Sequence, residues 1–188
     1  NKSGIYCLST PDEKVRLLST TGTDHLVILK FNQELAGMEA CDFVEKVLVK
    51  KLGTKHLIVG HDHHFGKSRR GNFNSVRECA EKFGFMVEQI TGVMYENGII
   101  SSTLIREALL EGNIRTASNM LGYEYSLTGE IVKGKGLGRD IGFPTANIKP
   151  SNKHKLIPGN GVYAVRIELD DHIFMGMLSI GVNPTVNK

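Results

Sequence analysis

Thr145 and Asn147 stand one residue apart near the end of the stretch GRDIGFPTANI, residues 138–148. A Thr hydroxyl and an Asn amide oxygen are hard donors of the kind magnesium accepts. That ion keeps several waters, takes few protein ligands and draws the rest from phosphates. Side chains of an extended chain alternate with period two, so an extended Thr145–Asn147 segment would turn both to one face, with Pro144 stiffening the backbone before them. On spacing alone the pair reads equally as metal ligands or as turn-forming side chains. Just upstream runs a set of glycines, Gly129, Gly134, Gly136, Gly138 and Gly142, flanked by Lys133, Lys135 and Arg139. Gly129, Gly134 and Lys135 keep the spacing of a Walker A loop, but Gly136 occupies the Ser/Thr position and no helix follows. Arg139 stands where GxGxxG needs its last glycine. What remains is a pliant loop whose amides can wrap phosphate oxygens.

A second anion site is suggested by ISSTLIREAL, residues 100–109. Ser101, Ser102 and Thr103 open a helix, whose free amides and dipole favour phosphate. Arg106, one turn in, adds a bidentate donor. Taken alone the same residues make an ordinary helix cap. A third cluster is HDHHFG, residues 61–66. Its histidines lack the spacing of HExxH and have no Cys or His partner at zinc-finger distance, which argues against a metal site.

The elements that must position these groups fall into two classes. Short β-rich runs at 25–31, 56–60 and 85–90 alternate with helical periodicity at 39–52 and with a helix capped by Asn74 or Ser75 and stopped by Gly84. That alternation predicts a parallel sheet with helices on its faces. Helices follow residues 101–103 and run from about Asn113 to Leu121, with Gly122 as the stop. Beyond Gly122 no helix is expected: 125–132 reads as a strand, and 161–169 and 173–181 as a hairpin joined by DDH. The change of class near Tyr123 divides the chain into residues 1–122, α/β, and 123–188, all-β.

The chain has 188 residues, 40% of them hydrophobic and 23% charged, which describes a soluble globular protein. No apolar run is long enough to span a bilayer, and no leader peptide opens the sequence. A net charge of +3 suits small phosphorylated ligands better than a nucleic-acid track, and the stacking aromatics of RNA-binding modules are missing. Three widely spaced cysteines, Cys7, Cys41 and Cys79, without CxxC, predict free thiols in a reducing cytoplasm. The first Met is Met38, so the chain is expected to be part of a longer one. Oligomeric state is not legible.

GRDIGFPTANI, with GVYAV and SIGVNPTV, closely resembles the riboflavin kinase domain of bacterial bifunctional riboflavin kinase/FAD synthetases. LIVGHDHHFGKSRRGN and ISSTLIREAL resemble the FMN adenylyltransferase half of the same family, although Ile99 stands where family members often carry Arg. The resemblance implies a Rossmann-like nucleotidyltransferase domain and a six-stranded antiparallel barrel, both partial. It implies ATP-dependent phosphorylation of riboflavin to FMN, then adenylylation of FMN to FAD. By that resemblance Thr145 and Asn147 bind Mg-ATP under the loop carrying Lys133, Gly134, Gly136, Gly138, Arg139 and Pro144. Ser101, Ser102, Thr103 and Arg106 hold the second ATP, and Asp62, His63 and Phe65 border the flavin. The family's carboxylate base and HxGH motif have no match here and are expected outside the chain; Glu168 matches no motif for the base. The implied partners are small molecules only. A non-catalytic flavin carrier, or a nucleotidyltransferase with an unrelated β domain, would share most of these features.

Overall fold

The computed structural model describes residues 6–62, 66, 71–96, 98–134, 142 and 144–181. Contacts divide the chain into two units, His25–Ile99 and a unit made of Asn1–Asp24 with Ile100–Lys188. This grouping follows packing, and it cuts the chain at different places from the change of class near Tyr123.

In the His25–Ile99 unit, α2 (Gln33–Gly37) and α3 (Ala40–Phe43) lead into wide π-type turns over Val44–Val49. Strand β1 (His56–Gly60) lies parallel to β2 (Met86–Ile90), with His56 opposite Met86 and Gly60 opposite Ile90. The connecting helix α4 (Phe73–Phe83) ends at Gly84, whose φ of 71° is left-handed and natural for glycine. The expected strand–helix–strand unit is therefore present. Its core is Val44, Cys79, Ala80 and Phe85, backed by Leu48, Leu57 and Val87. A short pair, β3 (Met94–Tyr95) and β4 (Gly98–Ile99), closes the unit.

Three expectations change. The helix cap is Asn72, whose side chain accepts from the Ser75 amide at 3.1 Å while the Ser75 hydroxyl takes the Asn72 amide. Residues 25–31 form no strand. Leu26, Val27, Ile28, Leu29 and Phe31 are exposed, because β-rich composition makes a strand only where a neighbour supplies the hydrogen-bonding row. Cys41 and Cys79 are not free thiols but a disulfide, their Cα atoms 5.8 Å apart, joining α3 to α4. Packing of these helices brings the two together across 38 residues, which sequence spacing does not reveal. Cys7 is free.

In the second unit, α1 (Pro11–Ser19) starts with a capping box: Thr10 accepts the Glu13 amide, and the Glu13 carboxylate accepts the Thr10 amide. Helix α5 (Ser102–Leu110) packs on α6 (Ile114–Leu121), burying Ile105, Ala108, Leu109, Ala117 and Met120. The β region has β5 (Gly129–Val132) antiparallel to β6 (Asn147–Pro150), and β7 (Gly161–Leu169) antiparallel to β8 (His172–Ile180). The strand expected over 125–132 is thus confined to its second half. The hairpin turn is Asp170–Asp171, both at positive φ, as a two-residue turn of primed type requires, and His172 joins the strand. Among the described residues the sheets are four separate pairs, and no closed barrel forms.

Candidate functional site

Asn147 opens β6 opposite Val132, the last residue of β5. Two residues beyond Val132, the Gly134 backbone lies so close to the Asn147 side chain that a Cβ at Gly134 would overlap its amide. A side chain at Gly134 would have to displace that exposed amide, so the start of the glycine run lies directly beside the Thr-Ala-Asn segment. Lys133, Pro144, Thr145 and Asn147 are all exposed. Thr145 precedes the strand, so strand alternation does not itself orient it. Neither Thr145 nor Asn147 has a side-chain hydrogen bond to another described residue, which leaves both oxygens uncommitted there. Gly136, Gly138 and Arg139 lie outside the described residues.

At the start of α5, Ser101 is the N-cap and its hydroxyl accepts from the Leu104 amide at 3.3 Å. Ser102 and Thr103 form the first turn and are exposed. Arg106 is more committed than expected, since its Nε donates to the Tyr6 carbonyl at 2.9 Å. Its two terminal nitrogens have no partner among the described residues. At the C-terminal ends of β1 and β2, Asp62 is exposed, with Oδ1 3.9 Å from His61 Nδ1, and the Gln89 amide donates to the His61 carbonyl at 3.1 Å. His63 and Phe65, and with them Lys67, Arg69 and Arg70, lie outside the described residues. No group of three metal-binding Cys, His, Asp or Glu residues gathers among the described residues.

One polar cluster escaped sequence reasoning. Glu13 and Lys155 are 5% and 4% exposed and form a 2.7 Å ion pair. Lys155 Nζ also donates to the Leu8 carbonyl at 2.7 Å and lies 4.2 Å from the centre of the Tyr125 ring. Burial first, then the Glu13 carboxylate, drives the Tyr125 phenol above the usual tyrosine range; its hydroxyl donates to the Leu156 carbonyl at 2.7 Å. The sequence TPDE is a capping-box signature that points to Glu13. A single Lys in a polar loop carries no comparable signal. A cleft of about 290 Å³ opens beside the pair, bordered by Thr10, Asp12, Arg16, Thr128 and Asn152.

Residues 1–104 match the FAD synthetase family and residues 121–188 the riboflavin kinase family. The bifunctional riboflavin kinase/FMN adenylyltransferase of Buchnera aphidicola subsp. Schizaphis graminum is 37% identical over 188 residues, covering 98% of this chain and 59% of its own. The proteins of the same description from Haemophilus influenzae and Escherichia coli K12 are 39% and 38% identical, covering 93% of this chain each, and 56% and 55% of their own. A solved structure described as a macrolide-efflux protein from Streptococcus pneumoniae superposes with a TM-score of 0.83 at 32% identity, over 95% of this chain and 57% of that one. The chain thus spans somewhat more than half the length of the relatives it matches. Among the described residues no helix is long and apolar enough to cross a membrane.

Proposed function

The chain belongs to the FAD synthetase family and continues into a riboflavin kinase segment, and from that premise we propose that its protein makes FMN and then FAD. In the first step the terminal ribityl hydroxyl of riboflavin attacks the γ-phosphorus of ATP, forming the new P–O bond and releasing ADP. In the second, a phosphate oxygen of FMN attacks the α-phosphorus of another ATP and expels pyrophosphate. Phosphoryl transfer of this kind needs alignment and charge neutralisation more than covalent help. The domain limits we assign are 1–122 for adenylylation and 123–188 for the kinase. In this reading the antiparallel pairs β5–β6 and β7–β8 belong to a six-stranded barrel. The protein acts in the cytoplasm on small molecules, without nucleic acid or membrane.

The observation that carries the kinase assignment is the close approach of Gly134 to Asn147. It supports Gly134 bordering the residues that would meet the nucleotide. Thr145 and Asn147 fit magnesium, since both are exposed hard-oxygen donors uncommitted to other described residues. Bound with ATP there, the ion would neutralise phosphate charge. Lys133, Gly136, Gly138 and Arg139 would line the triphosphate. For adenylylation, the amides of Ser102 and Thr103 and the free nitrogens of Arg106 would hold the second ATP, with Asp62, His63 and Phe65 near the flavin.

Incubating the intact protein with riboflavin and Mg-ATP and separating the flavins tests the assignment: FMN appears first and FAD after it. If neither forms, the proposal fails. Asn147→Ala is expected to slow FMN formation on the order of 100-fold while adenylylation of supplied FMN persists. Equal loss of both would show that the two sites are not separate.

A further inference from the structure

Glu13 and Lys155 have no part in either reaction as described, yet they are the buried charges among the described residues of the second unit. Such a pair is weak as a source of stability, because desolvation offsets much of the attraction. Glu13 Oε1 adds to the cost, being buried without a partner among the described residues. What the pair does have is direction. Lys155 Nζ grips the Leu8 carbonyl, while the Cys7 amide donates to the His154 carbonyl at 2.7 Å and the Leu156 amide donates to the Cys7 carbonyl at 3.0 Å. The next carbonyl back, that of Tyr6, receives Arg106 Nε. The far end of α5 is held from the same stretch of chain: the Gly159 amide donates to the Leu109 carbonyl at 2.8 Å, and a Cβ at Gly159 would overlap the Leu110 carbonyl. The helix that opens with Ser101, Ser102 and Thr103 is therefore tied through Arg106, at its middle, to Tyr6, the neighbour of the anchored Cys7, and at its far end to Gly159 just before β7.

We infer that Lys155, in the riboflavin kinase segment, is a positioning residue for adenylylation. By fixing residues 6–8 it aims the Arg106 guanidinium at the ATP phosphates. The inference rests on the proposed phosphate-binding role of Arg106. A purely structural Lys155 would damage first the segment in which it lies, and that segment carries the kinase step. A positioning role predicts the opposite order.

The test uses the intact enzyme with Lys155→Met, Arg106→Ala and the double variant, measuring both reactions on each preparation. In Lys155→Met the KM for ATP in FMN adenylylation is expected to rise on the order of 10- to 100-fold, with riboflavin phosphorylation close to wild type. The double variant should be no worse than Arg106→Ala, since both changes remove one interaction. Phosphorylation falling in step, an unchanged KM in Lys155→Met, or multiplying effects would each overturn the positioning role. An unchanged KM in Arg106→Ala would instead remove the Arg106 assignment, and the inference with it. If Lys155→Met fails to fold, Glu13→Leu/Lys155→Met removes both buried charges and is judged by the same criteria.

Discussion

Gly134 is set by what lies over it. Adding a single methyl there pushes against the Asn147 amide, so Gly134→Ala should lower riboflavin phosphorylation and leave adenylylation of FMN untouched in parallel assays; an unchanged kinase rate would mean the two residues need not touch in catalysis. Tyr125 makes a different prediction. An unfolded tyrosine ionises near pH 10, whereas burial and the Glu13 carboxylate keep this one neutral to higher pH. Above about pH 10 the folded chain holds a proton that the unfolded chain has released, so stability falls as pH rises. Its contribution is intact below that range. Urea midpoints between about pH 9 and 11 should decline more steeply for the wild type than for Tyr125→Phe; parallel lines would clear the phenol of responsibility. Residues with a local chemical signature, such as Ser101 at its cap, were legible in the sequence. Lys155 was not, because its burial comes from a segment 142 residues away.

Helices α5 and α6 could be read because their boundaries are written in adjacent residues, Ser101 and Asn113 as caps and Gly122 as the stop; for α4 the Gly84 stop was legible, while the cap is Asn72 rather than Asn74 or Ser75. Gly122 has φ of 76° with open space around it, so the cost of a side chain there is purely one of backbone conformation. Gly122→Ala should lower stability by about 1–2 kcal/mol, seen in chemical denaturation; no loss would mean that the helix ends in another way. Strands were less legible, since each depends on a partner elsewhere. The 161–180 hairpin was found because its partner is next in sequence and its turn is marked by Asp170–Asp171. Residues 25–31 have the same β-rich character and form no strand. The Cys41–Cys79 bond links elements through packing alone. With its cysteines 38 positions apart, it restrains the unfolded chain by about 3–4 kcal/mol. Reduction with dithiothreitol should therefore lower the melting temperature, and Cys41→Ser should remove that sensitivity; identical melts with and without reductant would mean that the bond does not contribute to stability.

At the scale of the whole molecule, the alternation of helices and strands correctly indicated an α/β part followed by a β part, and the family matches at 1–104 and 121–188 follow the same order. Packing cuts across that order, because Asn1–Asp24 joins Ile100–Lys188 and the His25–Ile99 unit is inserted between them. No local pattern announces such an arrangement, since it is made by contacts like the Cys7–His154 pair, 147 positions apart.

That long-range closure sets a timetable for a chain leaving the ribosome. The core around Val44 and Cys79 lies wholly within 44–87 and can condense early. The stretch from Tyr6 to Glu13 must wait until Lys155 has been synthesised, because contacts so distant along the chain form late. A ribosome stalled before Lys155 would display a compact body over 44–87 and an unanchored stretch from Tyr6 to Glu13 open to protease.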